Sequence, residues 1–148
     1  MKKTKLSNMT RIFFTTAFVI VLVCLLESCS RKMAFETSSV VPAAEGSVKL
    51  KKDKNSNYLV KLDVVNLAEP QRLEPPKNTY VVWAETAQNG TQNIGQLKTS
   101  SGLLSKTLKS SLETTTPFKP TNFFITAEDN ANIQYPGGQV VLRTGAVK

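Results

Sequence analysis

From residue 46 onward, apolar and polar positions alternate with a period of two. That period marks strands with one buried face, because successive side chains point to opposite sides of a sheet. Ser47 to Lys51 puts Val48 and Leu50 on one side and lysines on the other, and Asn55-Ser56-Asn57 supplies a turn. Tyr58 to Leu67 predicts a longer strand, with Val60, Leu62 and Val64 facing one way and Lys61 and Asp63 the other. Ala68 to Asn78 holds Pro70, Pro75 and Pro76. Proline lacks the N–H that a ladder needs, so this piece reads as a rigid connection. Thr79 to Glu85 is apolar on both faces, as a central strand should be, and Asn89-Gly90 has hairpin-turn chemistry before Ile94 to Lys98 returns. Leu103 to Leu112 has leucines at helical spacing. Ser and Thr dominate between them, and Thr114-Thr115-Thr116-Pro117 follows, so one strand or two short ones is the reading. Phe123 to Glu128 and Gln139 to Thr144 complete the set, separated by the loop Asp129 to Pro136 and by Gly137-Gly138.

This pattern predicts about seven strands in about 100 residues and no convincing helix. The expected fold is all-β: an immunoglobulin-like antiparallel β-sandwich, with a small β-barrel as the alternative. The expected core is Tyr58, Val60, Leu62, Val64, Tyr80, Val82, Trp83, Ile94, Leu97, Phe123, Ile125, Val140 and Leu142. The disulfide of immunoglobulin domains is absent, because the two cysteines, Cys24 and Cys29, both precede the first strand.

The beginning of the chain follows a different pattern. Lys2, Lys3, Lys5 and Arg11 form a basic start, and the fifteen residues from Ile12 to Leu26 carry no charge. That run is short of the roughly 20 apolar residues of a membrane-spanning helix. With its basic flank it fits a secretory signal. Leu26-Glu27-Ser28-Cys29 resembles the bacterial lipobox, with Leu three residues before the cysteine and small Ser28 just before it; Glu27 departs from the usual small or apolar residue. The resemblance implies cleavage between Ser28 and Cys29, a diacylglycerol on the Cys29 thiol and an acylated new amine. One acyl chain holds a membrane only marginally, whereas two or three anchor stably. Ser30 rather than Asp after the cysteine implies export to the outer membrane. Residues 1–28 are thus expected to be a signal peptide, 29–45 a lipidated cysteine with a flexible tether, and 46–148 the sandwich. The tether reading rests on Ser, Thr, Pro and Ala without sustained periodicity.

The net charge of +8 comes from 19 basic and 11 acidic residues. Removing residues 1–28 leaves 15 and 10, hence +5. Lys49, Lys51, Lys52 and Lys54 supply much of it. Two readings fit them: contact with anionic lipid head groups, or lysines guarding a strand edge, the one we favour. An exported protein has no nucleic-acid partner to meet.

Composition narrows the chemistry further. The chain has no histidine, which rules out histidine triads, relays and metal sites. Glu128, Asp129, Asn130 and Asn132 offer oxygen ligands but lack a calcium-loop spacing, and read as a strand ending in an Asx turn. Glu85 and Glu128 read as salt-bridging residues rather than a glycosidase pair. Ser105-Lys106 and Ser110 sit in a polar segment without the surroundings of a Ser–Lys dyad, and no phosphate-binding glycine motif is present. No catalytic residue, metal or cofactor is expected. Loops at sandwich ends carry binding more often than strands do, so Tyr135, Phe118, Asp129 and Asn130 are the candidate contact residues.

Four segments, taken in order, resemble one family. They are Leu67-x-x-Pro70 leading to Pro75-Pro76-x-x-x-Tyr80-Val81-Val82-Trp83, then Asn93-Ile94-Gly95-Gln96-Leu97, then Ile125-Thr126-Ala127-Glu128, then Pro136-Gly137-Gly138-Gln139-Val140-Val141-Leu142. Together they resemble the extracytoplasmic domain of the anti-sigma-K factor family, over residues 67 to 144. The resemblance implies a β-sandwich and a sensing or interaction role in the envelope. The family's cytoplasmic sigma-binding domain has no counterpart in this sequence, so sigma-factor sequestration is not carried over. The expectation is a non-enzymatic, lipid-anchored bacterial envelope module acting through contact with an envelope protein. The alternatives are an accessory structural lipoprotein and, more weakly, an envelope hydrolase.

Overall fold

The structure is a computed structural model and describes residues 30–101 and 108–145. The signal segment, Ser28, Cys29 and the Ser105-Lys106 pair lie outside the described residues. Nine strands are described: β1 (Ser30–Ala34), β2 (Glu45–Lys52), β3 (Tyr58–Val65), β4 (Thr79–Thr86), β5 (Gly90–Gln96), β6 (Lys98–Ser101), β7 (Leu108–Thr116), β8 (Pro120–Glu128) and β9 (Gln139–Arg143). The proline-rich connection between β3 and β4 contains one 3₁₀ turn, Pro70–Arg72.

The strands form two antiparallel sheets, ordered β1-β2-β3-β7-β6 and β5-β4-β8-β9. The order β2-β3-β7-β6 opposite β4-β8-β9 is the ABED-over-CFG arrangement of an immunoglobulin constant domain. β5 extends the second sheet as an extra edge strand, and β1 extends the first. The sheets do not close into a barrel; one isolated bridge, Phe35 to Thr144, links them along one side.

β1 overturns the tether. Ser30 through Ala34 pair residue by residue with Lys51 through Ser47. The chain then crosses to the second sheet, where the Glu36 N–H donates to the Arg143 carbonyl and the Ser38 hydroxyl to the Val141 carbonyl. Met33, Val41 and Ala44 enter the core. The described fold therefore begins at Ser30, not at residue 46. Composition misleads here because pairing with β2 and hydrogen bonds to the second sheet, not local periodicity, order this segment. The same strand overturns the edge-guard reading of the lysines: β2 lies between β1 and β3 and has no free edge to defend.

The main core fills the space between the sheets. Val48 and Leu50 on β2, Val60, Leu62 and Val64 on β3, Tyr80, Val82 and Ala84 on β4, and Phe123, Ile125 and Ala127 on β8 all point into it. Tyr58 and Ile94 are half-buried against it. β7 reaches through Thr116, so the threonine run expected to follow a strand is part of one, with Ser110 and Thr116 buried.

Two expected core residues are placed differently. Trp83 is fully buried, but on the opposite face of β4, in a second cluster with Val81 and Phe124. Val140 is exposed, whereas Val141 and Leu142 are both in the core. The cause is a register shift: Ile125 pairs with Leu142 but Thr126 with Val140, leaving Val141 as an extra residue. Such a bulge turns side chains away from simple alternation.

Truncating a buried valine removes two methyl groups and leaves a cavity. Val141→Ala should therefore cost about 2 kcal/mol, and Val140→Ala less than about 0.5. Urea midpoints of the two variants check this; equal effects would refute the bulge.

Candidate functional site

β4, β5 and β8 turn polar and aromatic side chains to the outer face of the second sheet. On β4 and β8, strict alternation puts Val81, Trp83 and Glu85, and Phe124, Thr126 and Glu128, away from the core. On β5 a bulge does the work. Val82 pairs with Gly95 and Trp83 with Asn93, leaving Ile94 extra. Ile94 packs on the core, while the Asn93 side chain reaches the opposite face. Gly95 has φ 130°, and a Cβ there would come within 3.2 Å of Leu112 Cδ1, so glycine suits the bulge.

The β8–β9 loop folds back over this face. Ala131 and Ile133 pack on Val81, Trp83 and Phe124. The Trp83 and Phe124 rings stack, with centroids 6.2 Å apart, and the Arg143 guanidinium lies 4.7 Å over the Phe124 ring. Beneath the loop runs a chain of hydrogen bonds. Trp83 Nε1 donates to Thr126 Oγ1 at 2.8 Å, and the Thr126 hydroxyl donates to Glu128 Oε1 at 2.7 Å. The same carboxylate oxygen accepts the backbone N–H groups of Gly137 at 3.1 Å and Gly138 at 2.9 Å. Two consecutive amides on one carboxylate make a strong, charge-assisted contact. Glu128 is only 5% exposed, so this is how its charge is satisfied. A Cβ at Gly138 would fall 1.8 Å from the Ala127 carbonyl oxygen, so nothing larger than glycine lets the loop come this close.

The rest of the loop is held as firmly. Asn93 Nδ2 donates to the carbonyls of Ala131 and Ile133, both at 2.9 Å, and its Oδ1 accepts the Gly95 N–H. At the loop base Lys77 Nζ lies 2.7 Å from Asp129 Oδ2, and Asn78 Nδ2 donates to the Asp129 carbonyl. Asn130 Oδ1 accepts the Asn132 N–H at 2.9 Å, an Asx turn. Tyr135 stands clear of these contacts, 78% exposed.

Of the expected contact residues, Tyr135, Asp129 and Asn130 share this loop. Asp129 and Asn130 shape it through the ion pair and the turn just described. Phe118, 36% exposed, lies in the β7–β8 turn at the other end of β8 and does not join them. Glu85 accepts from Arg143 Nη1 and Asn122 Nδ2, both at 3.0 Å. It pairs with Asn122, six residues along β8 from Glu128, hence about 20 Å away. The two carboxylates therefore do not form a glycosidase pair.

Sequence reading missed the role of Trp83, Asn93, Thr126, Glu128, Gly137 and Gly138 as one unit. No family model, curated protein or solved structure matches the chain. On the inner face, the Tyr80 hydroxyl donates to the Ala68 carbonyl at 2.8 Å, tying β4 to the proline-rich connection. Burial pushes the Tyr80 phenol up to about 12.

Glu128→Ala leaves two loop amides and the Thr126 hydroxyl without their acceptor. It should cost about 2–4 kcal/mol and speed amide exchange in residues 129–138 before other regions. Uniform exchange across the sandwich would refute a local role. For Tyr80 the pH sign is set by its raised pKa. The folded state holds the phenolic proton to about pH 12, while the unfolded state releases it near 10.0. This contribution is complete below pH 10 and is lost as pH rises from there to 12. Tyr80→Phe should lower stability by about 1 kcal/mol at neutral pH and flatten part of the alkaline slope of denaturation midpoints.

Proposed function

We propose that this protein is a lipid-anchored module of the bacterial envelope that recognises another envelope protein through its β8–β9 loop. The observation that carries this reading is an exposed tyrosine on a loop whose backbone is fixed from beneath. A loop ordered in advance loses little entropy on binding, and tyrosine is among the residues that anchor protein interfaces. The loop is fixed by buried groups on β4 and β8, by Asn93 on β5 and by Lys77 and Asn78 at its base, while Tyr135 is left exposed to meet a partner. The anchor is Cys29 in the lipobox-like Leu26-Glu27-Ser28-Cys29, and Ser30 after it supports an outer-membrane location. The module works by binding, without a catalytic centre or cofactor. The resemblance of residues 67–144 to the anti-sigma-K extracytoplasmic domain supports an interaction role on the same sandwich.

Crosslinking in intact cells tests the loop. Tyr135→Ala should abolish a specific crosslinked species while changing stability by less than about 0.5 kcal/mol. Retention of every crosslink would remove the loop from the proposal. A complex that survives purification in fixed stoichiometry would favour the accessory-subunit reading. Cys29→Ser should move the protein out of the membrane fraction; retention there would point to anchoring by residues 12–26 instead.

A further inference from the structure

The place where the chain joins the fold gives the sandwich an orientation. Ser30 opens β1 directly opposite Lys51, and β2 ends one residue later at Lys52, opposite Tyr58. Tyr58 in turn pairs with Thr116, the last residue of β7. The β2–β3 turn, the β7–β8 turn and the start of β1 therefore lie at one pole. The β4–β5 turn joins them, since Thr86, Ala87, Gln88 and Asn89 share a cleft with Lys119 and Thr121. Cys29 is one residue from Ser30, a reach of about 3.5 Å. Any attachment at Cys29 holds this pole against the membrane, with no slack chain between.

The pole has the chemistry such a surface requires. Arg31, Lys51, Lys52, Lys54 and Lys119 are exposed there. Among the described residues none of these five is in an ion pair. The nearby carboxylate, Asp53, is occupied in its own turn, where Oδ1 accepts the N–H groups of Asn55 and Asn57. Phe118, exposed between Pro117 and Lys119, adds an apolar tip. The basic character continues onto the outer face of the first sheet. Lys32 lies opposite Lys49, and Lys49 opposite Lys61. Like charges directly opposite one another destabilise a sheet. Of these three, Lys61 has an ionic partner, Glu113, at 3.5 Å. Edge protection does not account for Lys49 and Lys51, because β2 is an interior strand.

We propose that this pole is a docking surface for anionic phospholipid head groups, with Lys51, Lys52, Lys54 and Lys119 at head-group level and Phe118 at the acyl boundary. The anchored domain then lies on the membrane at a fixed tilt rather than swinging about Cys29. Such attraction decays within a Debye length, about 10 Å at 0.1 M salt, so it acts only on a domain held this close. The proposal deepens the anchoring reading of Cys29 and rests on membrane attachment at the N-terminal side of Ser30.

The test uses the full protein purified from membranes and reinserted into vesicles. One set is phosphatidylcholine alone; the other contains phosphatidylglycerol as well. Lysine reactivity toward a water-soluble acylating reagent is then read residue by residue by mass spectrometry. Lys51, Lys52, Lys54 and Lys119 should react several-fold more slowly on the anionic vesicles, and high salt should restore their rates. Lys109, paired with Val65 toward the other end of β7, is the internal reference and should not change. Equal rates on the two vesicle types, or protection that includes Lys109, would overturn the docking surface. The mass of the peptide beginning at Cys29 in the same sample reports its acylation separately. An unmodified Cys29 would refute the lipid anchor, while the footprint would still decide the docking surface.

Discussion

Glu128 sits at the end of β8 with almost no access to water, and its charge must be met there. An uncompensated buried carboxylate would cost several kcal/mol, so the surrounding structure has to bring donors to it. It does so by bending the β8–β9 loop back until two successive glycine amides reach one oxygen. That closeness requires glycine at 138, positions Ala131 and Ile133 over the sheet, and roofs Trp83. The loop conformation, the burial of the tryptophan and the exposure of Tyr135 all depend on this one contact set.

The placement of Trp83 separates this sandwich from the immunoglobulin pattern it otherwise follows. In antibody domains the tryptophan of the equivalent strand packs between the sheets against a disulfide. Here the strand is the same, but the indole faces outward, and the loop takes the place of a second sheet as its cover. The indole N–H would be an orphan in an apolar core; on the outer face it donates to Thr126 and joins the carboxylate network. The space between the sheets is left to aliphatic residues, Phe123 and Tyr80, and needs no disulfide.

The two ends of the molecule differ in chemistry. One carries the start of β1, cations without an ion pair among the described residues, and Phe118. The other gives rise to the β8–β9 loop, where charges are paired and an aromatic side chain is offered on a fixed backbone. In the proposed function the first end meets lipid and the second meets protein. In that proposal the ordering of residues 30–38 along both sheets links the two roles, because an attachment before Ser30 would set the orientation of the β8–β9 loop.

Strand positions were legible in the sequence because alternation, turn residues and prolines are local signals. β3, β4 and β8 fell close to where the period of two put them, and Val60, Leu62, Val64, Phe123 and Ile125 face the core as their spacing requires. The order of the sheets, the register shifts and the pairing of β1 were not legible, since each is fixed by a partner strand and not by the local pattern. Alternation could say that Trp83 and Val82 face opposite ways, but not that a loop would cover the second face. Nor could it show that Glu128, Asn93 and two glycines converge on that loop. The sequence by itself determined which residues had to be buried or turned, through periodicity and side-chain chemistry. Tertiary structure alone decided what covers each face, because a buried charge or indole is satisfied only by donors and acceptors that the fold brings from elsewhere.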